Sequence, residues 1–568
     1  FTLDTEKKQL SLTSDFDAFS PSGARSVIHL LPDLKTTNGF LSYSFTVVDR
    51  SGTVVKSAQG TTPPPASIAW NGIKSDGSPA LEGLYRGELT ASYSNGDRPN
   101  AATGWFNLIT RLPTVEAKAD YLLFSPNGDG QKDAVTFTQN STPSTSIWTG
   151  KLTRADGQTV RQWQWLGTPA TMSWDGTDAF GNIVANGTYV YSIATIDEAG
   201  NAAKATVTGI VVDNRPTHAF VTVDGSGFSP NGDGIADTLS FSTLLTIGEG
   251  ISSWELAMVG SDGRTVKSFT GNGSAPPRAI LWDGRSTDGQ TVEGSYVGRL
   301  TVTYLKGDID VVSTRDLVLD VTAPLVTVNL SPTPFTPDNS GVGNTLSIGI
   351  TVKAPVAIEK WSFEIIDPTK QPFYNFSGNG TPADALYWNG LSSTGELVQS
   401  VTDYPYVLRA QDVVGNTRVV TGAIPVGVLV MKDGDKYFIR VSNINFAPFS
   451  SELITAREDQ TLYAQNRHVL DLIAATLKRY SGYNIELVGN AVSVYWNDAA
   501  KSAVEQKDVL IPLSLARAKT VAQALAERGV AGERMKTSGV GAANPIVPFS
   551  DSINLWKDRR VDFVLVKQ

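Results

Sequence analysis

The chain of 568 residues contains no cysteine and only three histidines. Without thiols the sequence excludes disulfide frameworks, thiolate zinc sites, iron–sulfur clusters and cysteine nucleophiles. His29, His218 and His468 are far apart in the sequence, so we expect neither a histidine metal site nor a histidine-based catalytic triad. No run of 18 or more apolar residues occurs, and the sequence therefore predicts no membrane-spanning helix. The length predicts several domains.

Charge is scarce and unevenly distributed. Charged residues make up 18% of the chain, below the usual share of about a quarter, and the 52 glycines indicate many turns, which favours short β-strands. The net charge of −9 divides into −13 for residues 1–435 and +4 for residues 436–568. Because phosphate binding needs a basic face, the acidic part argues against a nucleic-acid partner along most of the chain.

Two sequence signals recur four times in the same phase. The first is a Phe-(Ser/Thr)-Pro signal, which begins at Phe19, Phe124, Phe228 and Phe335. The second is a Trp-(Asn/Asp)-Gly signal, which begins at Trp70, Trp174, Trp282 and Trp388. Successive copies of each signal lie 104–108 residues apart. The chain therefore contains four copies of one module.

Within one copy apolar and polar residues alternate, as they do in β-strands. In the third copy, residues 254–259 and 265–269 are rich in alternating apolar residues and flank the reversal at 260–263, which predicts a β-hairpin. Six or seven short strands per copy are typical of an immunoglobulin-like (Ig-like) sandwich. Short proline-bearing joints separate the copies and predict a semi-stiff rod, because proline restricts the backbone.

The repeats and the joints divide the chain into five parts, and these names are kept below. They are module 1 (residues 1–113, the most degenerate copy), module 2 (114–216), module 3 (217–323), module 4 (324–428) and the C-terminal domain (429–568).

The modules resemble known bacterial repeats. The segment from Trp174 to Asn201 reads WDGTDAFGNIVANGTYVYSIATIDEAGN and resembles the Ig-like domain of the flagellar hook-capping protein FlgD and of related surface repeats. The FSPNGDG element is similar to the start of sorting or adhesion modules in bacterial envelope proteins. The resemblance implies a module for spacing and interaction and carries no enzyme signature.

The two FSPNGDG loops place oxygen-bearing side chains at alternate positions, as short calcium-binding loops do. The candidate calcium ligands are Asn127, Asp129, Asp133, Asn231, Asp233 and Asp237. The alternative interpretation is that these residues form turns and bind neighbouring backbone amides. The first copy has Ser22 and Ala24 at the equivalent positions, and the fourth has Asp338, Ser340 and Asn344.

The C-terminal domain has a different sequence pattern from the modules. Residues 460–480 have the spacing of an amphipathic helix, and Ser514 is predicted to be the N-cap of a second helix that ends at Gly529. Strands are predicted at 484–488, 535–538 and 561–566. This order predicts an α/β sandwich with helices on one side of a mixed sheet.

The C-terminal domain resembles the OmpA-like peptidoglycan-binding domain. The family pattern consists of an INF strand, a GHTD loop, an LSxxRA helix, a G.G…P loop and a final NRRV segment. The counterparts here are residues 444–446, 488–492, 513–518, 539–545 and 557–561. The resemblance implies a site for the diaminopimelate of the wall peptide, whose ammonium and carboxylate pair with the Asp of GHTD and the Arg of LSxxRA.

One half of this charge pair is missing from the sequence. Arg517 matches the family arginine, but Val492 stands at the aspartate position and Asn490 at the histidine position. An acid within the long segment 489–513 is one replacement for the missing carboxylate; the candidates are Asp498, Glu505 and Asp508. The other interpretation is that the pocket has lost its ligand or binds a different one.

The candidate peptidoglycan-binding residues are therefore Arg517, Asn490 and Arg560. Arg559 and Arg560 have two interpretations, as ion-pair partners that hold the last strand or as members, with Arg517, of a basic cluster that accepts a carboxylate.

Together these observations predict a non-catalytic cell-envelope protein, because no nucleophile–base pair or carboxylate dyad can be recognised. It is expected to be exported to the periplasm or surface of a double-membrane bacterium, and the absence of Met at Phe1 fits removal of a signal segment. We expect an Ig-like stalk whose OmpA-like domain anchors to peptidoglycan, without a cofactor other than calcium. The alternative is an envelope scaffold or adhesin whose OmpA-like domain binds protein instead.

Overall fold

The computed structural model describes residues 4–338 and 344–568. In these two ranges the chain forms four two-sheet β modules in tandem, followed by a domain of five strands with helices packed on them. The predicted multidomain, mostly β fold class is therefore confirmed. Ser340, one of the oxygen-bearing residues of the fourth loop, lies outside the described residues.

The strands of modules 1 and 2 are short and closely spaced. Module 1 contains β1 (Leu10–Ser14), β2 (Ala18–Phe19), β3 (Ile28–Leu34), β4 (Phe40–Asp49), β5 (Val54–Gly60), β6 (Ile68–Trp70), β7 (Gly83–Tyr93), β8 (Asn100–Ala102) and β9 (Phe106–Leu108). Module 2 contains β10 (Val115–Ala119), β11 (Leu123–Phe124), β12 (Val135–Ser141), β13 (Ser144–Arg154), β14 (Thr159–Gly167), β15 (Met172–Trp174), β16 (Gly187–Ile196) and β17 (Ala202–Val212).

Modules 3 and 4 repeat the same order. Module 3 contains β18 (Ala219–Val223), β19 (Gly227–Phe228), β20 (Leu239–Leu245), β21 (Ile251–Gly260), β22 (Thr265–Asn272), β23 (Ala279–Trp282), β24 (Gly294–Tyr304), β25 (Ile309–Ser313) and β26 (Leu317–Leu319). Module 4 contains β27 (Leu325–Ser331), β28 (Leu346–Lys353), β29 (Ile358–Ile366), β30 (Pro372–Asn379), β31 (Ala385–Trp388), β32 (Asp403–Asp412) and β33 (Thr417–Pro425).

Each module packs a three-stranded sheet against a larger one. The small sheets have the orders β1-β3-β6, β10-β12-β15, β18-β20-β23 and β27-β28-β31. The larger sheets have the orders β2-β9-β7-β4-β5, β11-β17-β16-β13-β14, β19-β26-β24-β21-β22 and β30-β29-β32-β33. Apolar residues of both sheets alternate inward and form one buried cluster per module, as in aligned sandwiches.

The two recurring sequence signals meet in the core of each module. Their aromatic rings are almost completely buried, and the ring centroids of each pair lie 5.4–5.6 Å apart. The pairs are Phe19 with Trp70, Phe124 with Trp174, Phe228 with Trp282 and Phe335 with Trp388. Each tryptophan donates its indole N–H to the carbonyl oxygen three residues later, at 2.8–2.9 Å. The repeated signals therefore specify the core.

The C-terminal domain is built on a mixed sheet. Its strands are β34 (Met431–Asp433), β35 (Lys436–Val441), β36 (Tyr483–Asn490), β37 (Met535–Gly541) and β38 (Val561–Lys567), in the order β34-β35-β38-β36-β37. Strands β36 and β37 run parallel and the other neighbours antiparallel. Its helices are α1 (Gln460–Arg479), α2 (Ala499–Glu505) and α3 (Ile511–Glu527), with 3₁₀ turns at Gly532–Arg534 and Leu555–Asp558. Helices α1 and α3 share one buried core with the sheet.

One helix begins earlier than the sequence predicts. Ser514 is not an N-cap, because α2, a π-helical turn at Gln506–Leu510 and α3 form one helical run from Ala499 to Glu527. Ser514 is buried inside this run, where its hydroxyl donates to the Ile511 carbonyl at 3.1 Å and accepts from the Gly541 amide at 3.0 Å. The predicted stop is correct, since Gly529 follows the last turn with a φ of 81°.

The same helical run is long and apolar enough, by length and composition alone, to cross a membrane. Its apolar side faces the core, where Ala518, Val521 and Leu525 are buried with the residues of α1 and the sheet. Packing within the domain therefore accounts for only part of the apolarity of the run, because Val504, Val509 and Ile511 are exposed.

Candidate functional site

The side chain of Arg517 lies half-buried between α3 and the loop that follows residue 444. Its Nε donates to the Ser450 carbonyl at 3.0 Å, and its guanidinium lies over the Phe446 ring at 4.9 Å from the ring centroid. An arginine on an aromatic face is held in one orientation while its remaining N–H groups stay available. The INF segment and the LSxxRA helix of the sequence pattern are thus in direct contact.

The electrostatic surroundings of Arg517 are positive. Burial lowers the pKa of Arg517, and the nearby charge of Arg559 lowers the pKa further, although an arginine stays protonated in any case. Within the described ranges, no Asp or Glu forms an ion pair with either guanidinium. Two neighbouring cations that lack a protein carboxylate form a binding site for an anion. A carboxylate fits such a site well, because its two oxygens match the paired N–H donors of a guanidinium group.

The segment after Val492 supplies an acid, but not beside Arg517. The carboxylate of Glu505 accepts a hydrogen bond from the Ser493 hydroxyl at 2.7 Å and from the amides of Val494 and Tyr495 at 3.1–3.2 Å. Glu505 therefore closes the loop next to the position where the family has its aspartate.

The spacing along the helix separates Glu505 from Arg517. The two residues are twelve positions apart on one helical run, which corresponds to roughly 18 Å at 1.5 Å per residue. One amino-acid end group cannot reach both charges. Of the other two acids proposed for this role, Asp498 caps α2 and pairs with Lys501 at 3.0 Å, and Asp508 lies exposed in the π-helical turn.

Asn490 and Arg560 lie together, joined by one aspartate. The Asn490 amide donates to Asp562 at 3.0 Å, and the Arg560 guanidinium donates to the same carboxylate at 3.1 Å. Arg560 is almost completely buried and also pairs with Asp558 at 3.1 Å and donates to the Asn544 carbonyl at 2.9 Å. The charge of Arg560 is therefore balanced internally, whereas Arg559 is exposed beside Arg517.

A cleft of about 1130 Å³ lies between module 4 and the face of the sheet opposite the helices. Its walls include Glu396 and Lys557, which form an ion pair at 2.5 Å across the two parts of the chain, as well as Arg560. Sequence reasoning missed this cleft, because it depends on how module 4 packs against the C-terminal domain, and missed the Ser450 contact of Arg517, because that contact uses a backbone carbonyl.

In the candidate calcium loops, the aspartate carboxylates accept hydrogen bonds from backbone amides of the same loop. Asp133 accepts from the amides of Gly128 and Gly130 at 2.7 Å, and Asp129 accepts from the Gln131 amide at 2.7 Å. Asp237 and Asp233 repeat these bonds in module 3 at 2.7–2.9 Å.

The asparagines of these loops are also engaged. The amide nitrogens of Asn127 and Asn231 donate to Asp129 and Asp233 at 3.2 and 3.1 Å, respectively. In the part of the chain that the structure describes, no group of three or more Asp, Glu or His residues is arranged to hold a metal ion. The geometry favours the turn-forming interpretation, and calcium stays a prediction.

Comparison with known proteins identifies the C-terminal domain. Residues 456–552 match the OmpA family, so this part of the chain is an OmpA family domain. The probable lipoprotein YiaD of Escherichia coli is 29% identical over 140 residues, which is 24% of this chain and 55% of that protein. The peptidoglycan-binding protein ArfA of Mycobacterium tuberculosis is 47% identical over 55 residues, which is 10% of this chain and 17% of that protein.

The modules resemble a solved repeat structure. A tetra-tandem repeat from the extending region of a large adhesion protein is 19% identical, with a TM-score of 0.27, and the match covers 73% of this chain and 99% of that chain. The FlgD-like type of the repeats stays a prediction. The alignments to YiaD and ArfA span about half and about a sixth of those two proteins.

Proposed function

We propose that this protein is a non-catalytic component of the bacterial cell envelope, whose C-terminal domain binds peptidoglycan and whose four modules form an arm that extends from it. The observation that carries the proposal is the half-buried Arg517 guanidinium, which Ser450 and Phe446 hold beside Arg559 and which forms no ion pair with a carboxylate of residues 4–338 or 344–568. Wall peptides offer free carboxylates, which are the anions that paired guanidinium groups accept. The similarity to ArfA, which is named a peptidoglycan-binding protein, supports the proposal.

The ligand is expected to be recognised by its carboxylate more than by its ammonium. Val492 offers no counter-charge, and Glu505 is hydrogen-bonded to its own loop roughly 18 Å along the helix from Arg517. A diaminopimelate end group would then be held by Arg517 and Arg559, and its ammonium would remain in solvent. We expect weaker binding than in a domain with both charges, because one charge-assisted contact is missing.

The test is sedimentation of the full chain with purified insoluble peptidoglycan. Arg517→Ala is expected to weaken retention about tenfold or more, because a hydrogen bond to a charged group contributes about 1.5–3 kcal/mol. Arg517→Lys is expected to rescue little, since a lysine lacks the planar fork. The matched control is Arg528→Ala at the C-cap of the same helix, because Arg528 pairs with Asp471 at 2.7 Å, and this variant should sediment like the wild type.

The second candidate function, a scaffold or adhesin whose OmpA family domain binds protein, is favoured by Val492 at the position of the family carboxylate. It predicts that the wild-type chain stays in the supernatant with purified wall and that Arg517→Ala changes nothing there. Competition distinguishes the two functions further, since a soluble stem peptide should release the wall-bound chain only under the first.

A further inference from the structure

The Phe-(Ser/Thr)-Pro loop of each of the first three modules lies against the following module. We call residues 20–25, 125–133 and 229–237 the docking loops, and residues 197–201, 304–308 and 412–416 the acceptor loops. Each acceptor loop is the turn at the end of a long central strand of the next module: β16 in module 2, β24 in module 3 and β32 in module 4. The proposed wall anchoring does not account for these contacts.

The joint between modules 3 and 4 contains a buried hydrogen-bond network. The Ser229 hydroxyl donates to the Asn416 side-chain oxygen, and the Asn231 amide donates to the same oxygen at 3.3 Å. The Asn416 amide in turn donates to the Asp320 carbonyl of module 3 at 2.9 Å. Ser229 and Asn416 are 0% and 1% exposed, so this contact is a packed interface.

The other two joints also use the last residue of the acceptor loop, with donors on the docking loop that differ in part. Between modules 2 and 3, the Asn127 amide donates to Asp308 at 3.1 Å and the Lys132 ammonium donates to the Leu305 carbonyl at 2.7 Å. Between modules 1 and 2, the Asn201 side-chain oxygen accepts from the Ala24 amide at 2.8 Å. The fifth residue of the acceptor loop, Asn or Asp, therefore binds the docking loop at all three joints.

The glycine before that residue lies close against the docking loop at two of the three joints. At Gly415, which has a φ of 102°, a Cβ would lie 3.0 Å from the Ile235 side chain of the docking loop. At Gly307 it would lie 2.6 Å from the Gln131 carbonyl oxygen. The equivalent Gly96 of module 1 has nothing within 4 Å of that position.

We propose that the Phe-(Ser/Thr)-Pro loop is a docking element that binds the acceptor loop of the next module and fixes the angle between the two modules. The carboxylates that suggest a calcium site have a different role here, since Asp133 and Asp237 hold the docking loops in shape through backbone amides. A preorganised loop loses less conformational freedom when it docks. The stiffness of the array then comes from docking in addition to proline at the joints.

The test measures the distance between modules 3 and 4 in the full chain. Because the chain lacks cysteine, spin labels can be attached at Leu281→Cys and Tyr387→Cys, two equivalent and exposed strand positions. Pulsed electron resonance then gives the distribution of the distance between the labels. Wild-type joints are expected to give one narrow distribution.

Gly415→Ala is expected to broaden this distribution and to shift its mean, because the new methyl group meets Ile235. Gly380→Ala is the matched control, since Gly380 lies in the same module with a φ of 75° and has open space at the Cβ position. Gly380→Ala shares the backbone strain and should leave the distribution narrow.

A variant on the docking side tests the same joint without a substitution in module 4, so misfolding of module 4 cannot explain its result. Ser229→Ala combined with Asn231→Ala removes both donors to Asn416 without touching module 4, and the distribution is again expected to broaden. Calorimetry of the same samples shows whether all modules are folded. Unchanged narrow distributions in the Gly415 variant and in the docking-side variant would overturn the proposal, as would equal broadening by Gly380→Ala.

Discussion

The Lys306 ammonium lies 2.9 Å from the Asp308 carboxylate, and both side chains are more than nine-tenths buried where modules 2 and 3 meet. The ammonium also donates to the carbonyl oxygens of Asp213 and Arg215 at the end of module 2. A single side chain of module 3 therefore balances a buried charge and binds the backbone of the preceding module.

Lys306→Met should strongly destabilise this joint. Removal of one partner of a buried ion pair leaves the other charge uncompensated and typically costs about 3–5 kcal/mol. We expect a marked drop in the midpoint temperature of the calorimetric transition that includes module 3. This temperature should recover in part when Asp308→Asn is added. Arg264→Met breaks an exposed contact with Asp262 at 3.7 Å and should change stability by no more than about 1 kcal/mol. Equal effects of the two single variants would contradict the assignment.

Phe228→Ala should lower the free energy of unfolding of module 3 by more than a surface substitution of similar size does. Phe228 is completely buried against Trp282, and truncation of a buried phenylalanine costs about 3–5 kcal/mol. Phe180→Ala is the control, because Phe180 is 90% exposed. Urea unfolding followed by tryptophan fluorescence measures both variants, and a loss below about 1 kcal/mol for Phe228→Ala would contradict the central role of the repeated pair.

Asp320→Asn should stabilise the joint between modules 3 and 4 at neutral pH. Burial raises the pKa of Asp320, and the nearby carboxylates of Asp412 and Glu293 raise it further; one oxygen of Asp320 is buried without a hydrogen-bond partner. Because the folded state binds the proton more tightly than the unfolded chain, ionisation of Asp320 costs stability as the pH rises through the raised pKa.

The pH dependence provides the measurement for Asp320. The gain in melting temperature of Asp320→Asn over the wild type should be present at pH 7 and shrink as the pH falls toward the ordinary aspartate pKa of about 3.9. Asp316→Asn changes an exposed carboxyl of the same module and should give no such pH-dependent gain. A melting temperature that falls at pH 7 in Asp320→Asn would contradict the prediction.

The sequence was sufficient to predict the module fold because the repeat signals are core residues. Phe228 and Trp282 contact each other in the interior, so their phase in the sequence follows directly from the architecture. The same reasoning predicted the mixed sheet and the end of α3 at Gly529, where a left-handed residue is needed. It placed the start of that helix too late, because Ser514 has the residue type of an N-cap but hydrogen-bonds within the helix and to Gly541.

The candidate site was only partly predictable. Arg517 could be found from the LSxxRA pattern, whereas its Ser450 contact involves a carbonyl oxygen that every residue possesses. Arg559 and Arg560 are adjacent in sequence but differ completely in environment, and only the structure shows that Arg560 is paired with Asp558 and Asp562. Charge partners that lie far apart in the chain leave no local pattern.

Glu505→Gln should remove part of the acid sensitivity of the C-terminal domain. Burial acts to raise the pKa of Glu505, but the Ser493 hydroxyl and the amides of Val494 and Tyr495 outweigh it, so the pKa lies below its ordinary value. A depressed carboxyl pKa contributes stability that is present above the unfolded value of about 4.3 and is lost as the pH falls through the folded value. Glu505→Gln should therefore be less stable than the wild type at pH 7, and the stabilities of the two proteins should converge on acidification.

Thermal melts of the wild type and the variants from pH 7 to about pH 3 measure this difference. Glu533→Gln, at an exposed position of the same domain, is the control, and its melting temperature should equal that of the wild type at every pH. A constant difference in melting temperature between the wild type and Glu505→Gln would show that the carboxylate bonds to residues 493–495 do not contribute.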